Sequence, residues 1–198
     1  MNKLLPYLVG FGLLTSCSSE PTSPPEGPAG PPSLATTAAT LPFSVVSAGG
    51  HHTCGLTTGG QLYCWGNNFW GQLGDGTQDN HALPTLVAGG LLFRQVSAGG
   101  QYTCAVTTSY RAYCWGSNGN GALGDGTNIS PRLSPVPVAG SRAFRQISAG
   151  PYRTCAVTTS TTNKIYCWGS GILGNGTGYS QSTTSPLNWY RGRVHTAR

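Results

Sequence analysis

The chain has 198 residues, and only 8% of them are Asp, Glu, Lys or Arg, compared with about 25% in ordinary soluble domains. Its 30 Gly and 14 Pro exclude a helix-rich protein, because these residues are the two weakest helix formers, whereas 38% hydrophobic residues are enough to build a core. The net charge of +6 is spread along the chain without a basic cluster, so no nucleic-acid partner is expected. Strands joined by many tight turns suit this composition best.

The N-terminus has the pattern of an export signal. One positive charge precedes an apolar run over residues 4–14, which is too short to span a bilayer, since spanning takes about 20 residues. The sequence LTSC at 14–17 resembles the bacterial lipoprotein signal, which implies a diacylglyceryl group on Cys17 and removal of residues 1–16. An ordinary cleaved signal with an incidental cysteine is the alternative. The resemblance implies a lipid-anchored cell-envelope protein, and the serine after the cysteine favours the outer membrane.

Residues 17–42 are interpreted as the lipidated cysteine followed by a Pro-rich linker. The segment 18–42 carries seven prolines and shows no periodic apolar pattern. Such a segment buries too little apolar surface to fold, and its prolines stiffen it into an extended spacer. We therefore expect it to hold the folded part of the chain away from the membrane.

Residues 43–186 contain three copies of one unit, at 43–92, 93–143 and 144–186. Each copy begins with Phe-x-x-Val/Ile-Ser-Ala-Gly, continues with Thr-Cys and Tyr-Cys-Trp-Gly, and reaches Leu-Gly-Asp/Asn-Gly-Thr. These motifs indicate short strands, and no segment has the spacing of an amphipathic helix. A unit of about 50 residues with three or four strands is the size of one propeller blade. The sequence therefore predicts an all-β chain, a partial β-propeller of three blade-like repeats.

The repeated motifs resemble those of the regulator of chromosome condensation repeat family, most closely its Cys-containing bacterial version. The likeness is carried by Ser-Ala-Gly, by His52-Thr53-Cys54, by Tyr-Cys-Trp-Gly and by GQLGDGT at 71–77. The resemblance implies a propeller that is typically seven-bladed, so we favour a truncated propeller. A ring completed by other copies and an open arc are the alternatives, and open blade edges make self-association an expectation. Residues 187–198 depart from the repeat and form a divergent basic tail.

The six cysteines of the repeats occupy equivalent positions on two consecutive strands. A hairpin that turns near 58–60 places Cys54 opposite Cys64, within the range of a disulfide, and an exported protein permits oxidation. Free buried thiols and a zinc site are the alternatives, and zinc is disfavoured because the chain lacks a Cys-x-x-Cys pair. The predicted disulfide pairs are Cys54–Cys64, Cys104–Cys114 and Cys155–Cys167.

Few residues are candidates for chemistry or contact. Asp75 and Asp125 lie between glycines, which is typical of turns, and His52 has no carboxylate near it in the sequence. Trp70 and Tyr110 do not repeat between the units, and they fall in a loop and at a hairpin turn, so they are candidates for binding contacts. We predict no catalytic residue, no metal ligand and no cofactor.

The favoured function is that of a lipid-anchored module that binds a protein or a glycan. The alternative is a guanine-nucleotide exchange factor-like regulator, as the family resemblance implies, although an exported protein would not meet a GTPase inside the cell. An enzyme is disfavoured because the repeats hold three carboxylates. A likeness to the propeller-type β-lactamase inhibitor proteins is an analogy of architecture alone.

Overall fold

The computed structural model describes residues 41–174 and the backbone of a strand at 181–186. In this part of the chain, twelve β-strands form three antiparallel sheets of four strands, and the strand order in each sheet follows the chain. The predicted all-β fold of three propeller blades is confirmed. The described residues contain no helix long and apolar enough to cross a membrane. Cys17, the linker as far as residue 40 and the tail at 187–198 lie outside the described residues.

Each blade contributes its strands in the same order. Blade 1 consists of β1 (Phe43–Ala48), β2 (His52–Thr57), β3 (Leu62–Gly66) and β4 (His81–Leu86). Blade 2 consists of β5 (Phe93–Ala98), β6 (Tyr102–Thr107), β7 (Ala112–Gly116) and β8 (Arg132–Pro137). Blade 3 consists of β9 (Phe144–Ala149), β10 (Arg153–Thr158), β11 (Ile165–Gly169) and β12 (Gln181–Pro186). The first strands of successive blades, β1, β5 and β9, lie next to one another as the inner strands of the array.

The cysteines join the two middle strands of each blade. Antiparallel pairing sets Cys54 directly opposite Cys64, and the same register recurs in the other two blades. The structure brings each predicted pair together as a disulfide, with 4.1 Å between the Cα atoms; the bonds are Cys54–Cys64, Cys104–Cys114 and Cys155–Cys167. Closing loops of this length restricts the unfolded chain and stabilises the fold by roughly 2–3 kcal/mol per bond.

Side chains alternate between two faces of each blade, and the core lies between the blades. We call the face with the Phe, Val/Ile and Trp positions the leading face, and the face with the disulfide the trailing face. The leading face of blade 2, with Phe93, Val96 and Trp115, packs on the trailing face of blade 1. Blades 2 and 3 meet in the same way, with Phe144, Ile147 and Trp168 against blade 2. Burial of such side chains contributes about 1.5–3 kcal/mol each.

In blades 2 and 3, a tryptophan of the third strand contacts the preceding blade. The indole nitrogen of Trp115 donates to the Gln72 carbonyl at 3.0 Å, and its ring lies against the Cα atom of Gly74. Trp168 repeats this arrangement with the Ala122 carbonyl at 2.8 Å and with Gly124. Both indoles are fully buried, so an unpaired N–H would carry a substantial free-energy cost. The carbonyl and the glycine therefore form the receptor for the ring.

His52 belongs to the same junction between blades 1 and 2. The hydroxyl of Thr103 donates to the Gln72 carbonyl at 2.8 Å, and it lies 2.7 Å from His52 Nε2, which therefore carries the proton and donates to it. Burial, together with the nearby His51, lowers the pKa of His52 to about 4. Blade 2 has Tyr102 at this position, and its hydroxyl donates to the Arg153 carbonyl at 2.7 Å. His52 is thus a buried, neutral structural residue.

Replacing Gly74 tests the receptor for the indole. Gly74 and Gly76 both have positive φ, 72° and 91°, so Ala costs about 1–2 kcal/mol of backbone strain at either position. Only at Gly74 would the new methyl group collide with Trp115, whereas the space around Gly76 is open. We expect Gly74→Ala to lower the free energy of unfolding by about 1–3 kcal/mol more than the control Gly76→Ala, as overpacking does. Urea titration measures both, and equal losses would contradict the assignment.

His52 makes stability depend on pH. Its pKa is about 4 in the folded chain and near 6.5 in the unfolded one, so the unfolded state binds the proton first as pH falls. The contribution of His52 to the free energy of unfolding is therefore fully present above pH 6.5 and is lost as the pH falls below that value. Between pH 7.5 and pH 5 this residue lowers the free energy of unfolding by about 2 kcal/mol. His52→Tyr installs the residue that blade 2 uses, and it should remove that part of the decline. Urea midpoints at several pH values measure the difference, and parallel curves would refute it.

Candidate interaction surface

The blades present two different ends. The loop end carries the short turns after the inner strands, at 49–51, 99–101 and 150–152, and the long loops that follow the third strands. The hairpin end carries the turns between the second and third strands and the connections between blades. Loops on a rigid scaffold are where propellers and related folds most often make contacts. The loop end is therefore the candidate binding surface.

The long loops of blades 1 and 2 are each held in place by a buried asparagine. Asn68 is fully buried; its amide nitrogen donates to Asp75 at 3.1 Å, and its side-chain oxygen accepts from the Leu73 N–H at 2.9 Å. Asn118 makes the equivalent bonds to Asp125 and Leu123 in blade 2. These hydrogen bonds fix the conformation of a loop that has no regular secondary structure. The exposed side chains of the loop are therefore held in a defined geometry.

The two aspartates are the acceptors of these loops. Burial alone would raise the pKa of Asp75, but hydrogen bonds from Thr77, Asn68 and His81 outweigh it and lower the pKa below its usual value. Asp125 is shifted in the same direction by Thr127, Arg132 and Asn118, again against burial. The carboxylates face His81 at 2.8 Å and Arg132 at 2.9 Å. Both carboxylates are thus ionised and fully engaged, as expected for turn residues.

Large apolar side chains are exposed on the loop end of all three blades. Phe69, in the long loop of blade 1, is 63% exposed and lies edge-on to Trp70, with 5.2 Å between ring centroids. Tyr152 is likewise 63% exposed in the short turn of blade 3. Two aliphatic residues complete the set: Ile129 in blade 2 and Ile172 in blade 3. Exposed apolar groups on ordered loops lose no internal packing when a partner covers them, which is typical of binding surfaces.

A shallow recess lies where the short turns converge. It has a volume of about 240 Å³ and small residues line it, among them Gly49, Gly99 and Gly150. A Cβ atom on Gly49 would lie 2.5 Å from the Gly99 carbonyl, so the blades can converge here only because the side chain is absent. The Gly50 N–H donates to the same carbonyl at 3.0 Å. The recess therefore presents backbone and open space at the centre of the loop end.

The structure separates the two contact residues that the sequence predicts. Trp70 lies at the loop end and is half-buried beside Phe69. Tyr110 lies at the hairpin end, where its carbonyl accepts from the Phe144 N–H at 2.8 Å and its ring lies 4.6 Å from the Arg94 guanidinium carbon. Tyr110 therefore joins blades 2 and 3, and the two residues form no common surface.

The sequence reading missed the exposed loop-end residues, although a signal for them exists. Phe69 stands where the second repeat has Gly119, and Ile129 stands where the first has Asp79. Tyr152 stands where the second repeat has Gln101. An apolar residue at a position where the other repeats have a polar or small residue is not needed by the fold. Comparing equivalent positions of the three repeats would therefore have identified these exposed residues.

Within the described residues, no cluster of three or more His, Cys, Asp or Glu could hold a metal ion.

Comparison with solved structures places this architecture among known propellers. Human WBSCR16 superposes with a TM-score of 0.67 at 25% identity over 73% of this chain and 37% of that protein. Prp20p of the yeast Saccharomyces cerevisiae gives a TM-score of 0.64 at 19% identity over 74% of this chain and 38% of that protein. The yeast RCC1 (Prp20) structure with Kap60 gives 0.62 at 17% identity. The chain therefore spans less than two fifths of the length of these proteins.

Two sequence models, both of the regulator of chromosome condensation (RCC1) repeat, match the chain. One covers residues 59–106 and 111–157. The other covers 43–72, 93–122 and 144–175, so that it matches once in each blade. Both the repeat motifs and the blade structure lead to the same assignment: the chain belongs to the regulator of chromosome condensation repeat family.

Proposed function

We propose that the chain is a protein-binding module of the cell envelope, that its loop end is the contact surface, and that a lipid on Cys17 anchors it. The observation that carries the binding role is the set of exposed apolar residues at the loop end of all three blades. Phe69 and Tyr152 supply aromatic area, and the two isoleucines supply aliphatic area. Aromatic anchors of this kind dominate the free energy of binding at protein interfaces.

The chemistry of the surface favours a protein over a glycan. Ile129 and Ile172, 59% and 77% exposed, offer no hydrogen bond to a sugar hydroxyl, but they match an apolar protein patch. The yeast relative was solved with a protein partner, Kap60, which is a property of that protein and sets a precedent for this use of the fold. The carboxylates of Asp75 and Asp125 are occupied within their loops, so they offer little to acid–base chemistry.

Disulfides and the N-terminal motif support the envelope location. Three disulfides form in compartments that are oxidising, and they are rare in the cytosol. The LTSC motif at 14–17 supplies a route to such a compartment and a lipid attachment point at Cys17. The same argument weighs against exchange activity on a small GTPase, whose nucleotide supply is cytoplasmic. No described residue specifically favours that alternative.

Site-specific photo-crosslinking tests the contact surface. A photoreactive amino acid at Phe69 or at Tyr152 should form an adduct of the same mass on intact cells, because both residues face one partner. The same group at Tyr110, which is 41% exposed at the hairpin end, is the matched control and should give no such adduct. Phe69→Ala should weaken the contact about fivefold or more, as truncation of an anchor does. Equal adducts from both ends, or none from the loop end, would exclude the proposal.

The lipid anchor has its own test. Cys17→Ser, expressed in bacteria that are fed an alkyne-labelled fatty acid, should lose the label and leave the membrane fraction, because the thioether can no longer form. Ser18→Ala alters the neighbouring residue, keeps the sulfur and should retain both properties. A Cys17→Ser chain that still carries the label would show that the anchor is wrong, and it would leave the loop-end binding surface untouched.

A further inference from the structure

The fold gathers at one end of the blades the positive charge that is spread along the sequence. Seven Lys and Arg side chains lie within residues 41–174, and five of them are at the hairpin end. We call this set the basic end; its members are Arg94, Arg111, Arg142, Arg145 and Lys164. The three aspartates of the same residues, Asp75, Asp79 and Asp125, all lie in the long loops of the opposite end. The described part of the chain therefore has no aspartate or glutamate at the basic end.

The repeat itself produces this separation of charge. The residue after the first phenylalanine of a blade and the residue before its third strand both stand at the hairpin end. In blades 2 and 3 all of these positions are cationic: Arg94 and Arg145 are at the first, and Arg111 and Lys164 are at the second. Residues that are one repeat apart in the sequence thus meet on one surface.

Neutral partners hold the cations in one continuous band. The Arg94 guanidinium donates to the Arg145 carbonyl at 3.0 Å, and the Arg145 guanidinium donates to the side-chain oxygen of Asn163 at 3.2 Å. The Arg94 guanidinium carbon also lies 4.6 Å from the centroid of the Tyr110 ring, and Arg111 is the next residue along the chain. A carbonyl, an amide and an aromatic ring order these side chains and leave their positive charge uncompensated.

At the opposite end, ion pairs compensate much of the charge. Asp125 lies 2.9 Å from Arg132, and Asp75 lies 2.8 Å from His81. A strand of six residues separates the two ends by about 20 Å, which exceeds two Debye lengths of about 8 Å each at physiological salt. The loop-end carboxylates therefore do not neutralise the basic end.

Blade 2 shows that the exposure of the basic end does not depend on how many blades flank it. This blade lies between two others, and yet Arg94 is exposed and Arg111 is half-buried. Neighbouring blades cover the leading and trailing faces and leave the hairpin end open to solvent. The basic end is therefore a property of the repeat and of the way in which blades stack.

Exposed apolar side chains lie among the cations. Leu92 and Tyr110 are both exposed, and the Leu92 carbonyl accepts from the Thr108 N–H at 3.0 Å, which places it beside the turn that holds Tyr110. Leu86, also exposed, ends strand β4 at the same end. Tyrosine is enriched at membrane interfaces, and buried apolar area adds there to the attraction between cations and anionic lipids. The combination of cations with leucine and tyrosine is thus suited to a lipid surface.

We propose that the basic end binds the surface of a bilayer that contains anionic phospholipids, so that its cations pair with headgroup phosphates. A guanidinium group can donate two hydrogen bonds to one phosphate, and each cation close to an anionic bilayer strengthens binding about fivefold. Nucleic acids offer phosphates as well. The exposed leucines favour a bilayer, because the boundary between headgroups and acyl chains accepts apolar side chains.

The linker enters the fold at this same end. The carbonyl of Pro42 accepts from the Thr58 N–H at 3.0 Å, beside the first hairpin. A lipid on Cys17 would therefore tether the chain from the side on which the cations lie; this step rests on the proposed function, whereas the charge argument does not. Docking through the basic end brings to the membrane the blades that the linker would otherwise hold away. The loop end, with Phe69, then faces away from the bilayer and towards a protein partner.

Flotation of the full-length chain with lipid vesicles tests the basic end. The chain carries Cys17→Ser, which removes the proposed lipidation site, so the outcome does not depend on the anchor. We expect stronger binding to vesicles of phosphatidylcholine mixed with phosphatidylglycerol than to vesicles of phosphatidylcholine alone. The apolar segment 4–14 contributes to both affinities and cancels in their ratio. Salt at about 1 M should abolish the preference, because the Debye length falls to about 3 Å.

Single substitutions assign the preference to the basic end. Arg94→Gln and Lys164→Gln each remove one exposed charge, and we expect each to lower the ratio of affinities about fivefold and the two together about 25-fold. Arg94→Lys keeps the charge and should keep the ratio. Arg153→Gln removes an exposed cation from the loop end and is the matched control, so it should leave the ratio unchanged.

Three results would overturn the proposal. The first is equal binding to both kinds of vesicle, and the second is an equal loss from Lys164→Gln and from Arg153→Gln. The third is tighter binding to single-stranded DNA than to the anionic vesicles at equal phosphate concentration, which would assign the surface to a nucleic acid. Each of these results leaves the lipid on Cys17 to its own labelling test, so the two proposals can fail separately.

Discussion

The joint between neighbouring blades depends on an indole that lies on a glycine and donates to the carbonyl two residues before that glycine. Trp115 and Trp168 make this joint, and both are fully buried. The geometry leaves no space for a Cβ atom at Gly74 or Gly124. The indole belongs to a strand, and the carbonyl and glycine that it contacts belong to the long loop of the preceding blade. This one contact therefore fixes the position of both the strand and the loop. The apolar core between blades and the rigidity of the loops follow from this contact.

The joint has a second layer that differs from blade to blade. A threonine hydroxyl, Thr103 or Thr154, reaches the carbonyl that the indole uses. Beside the first threonine lies His52, and beside the second lies Tyr102. The two side chains occupy equivalent positions and both donate a hydrogen bond, but they ionise differently. Burial keeps the histidine neutral by lowering its pKa to about 4, and it raises the pKa of Tyr102 to about 12. Repetition of the fold therefore tolerates an exchange of side chains where a donor can be retained.

The strands of each repeat supply the core, and its loop-end turns supply the surface that varies. The Cys and Trp motifs supply the core and the disulfides, and they change little from one unit to the next. The loop end varies, with Phe69, Ile129 and Tyr152 replacing small or polar residues. In blades 1 and 2, where Asn68 and Asn118 hold the loops, Phe69 and Ile129 can change at little cost to stability. This division is what allows one family of propellers to present different surfaces.

Much of this architecture follows from the sequence alone. The repeat, the first three strands of each blade and the cysteine pairing are determined by local pattern, because alternation, turn glycines and opposed positions on a hairpin act over a few residues. The fourth strand, such as β4 with its Pro84, carries no such pattern, and it forms only because the third strand offers a free edge. Tertiary structure alone decided that Trp70 and Tyr110 point to opposite ends and that His52 is buried. These properties depend on how one blade lies against the next, over about 50 residues of chain, and no local pattern encodes that distance.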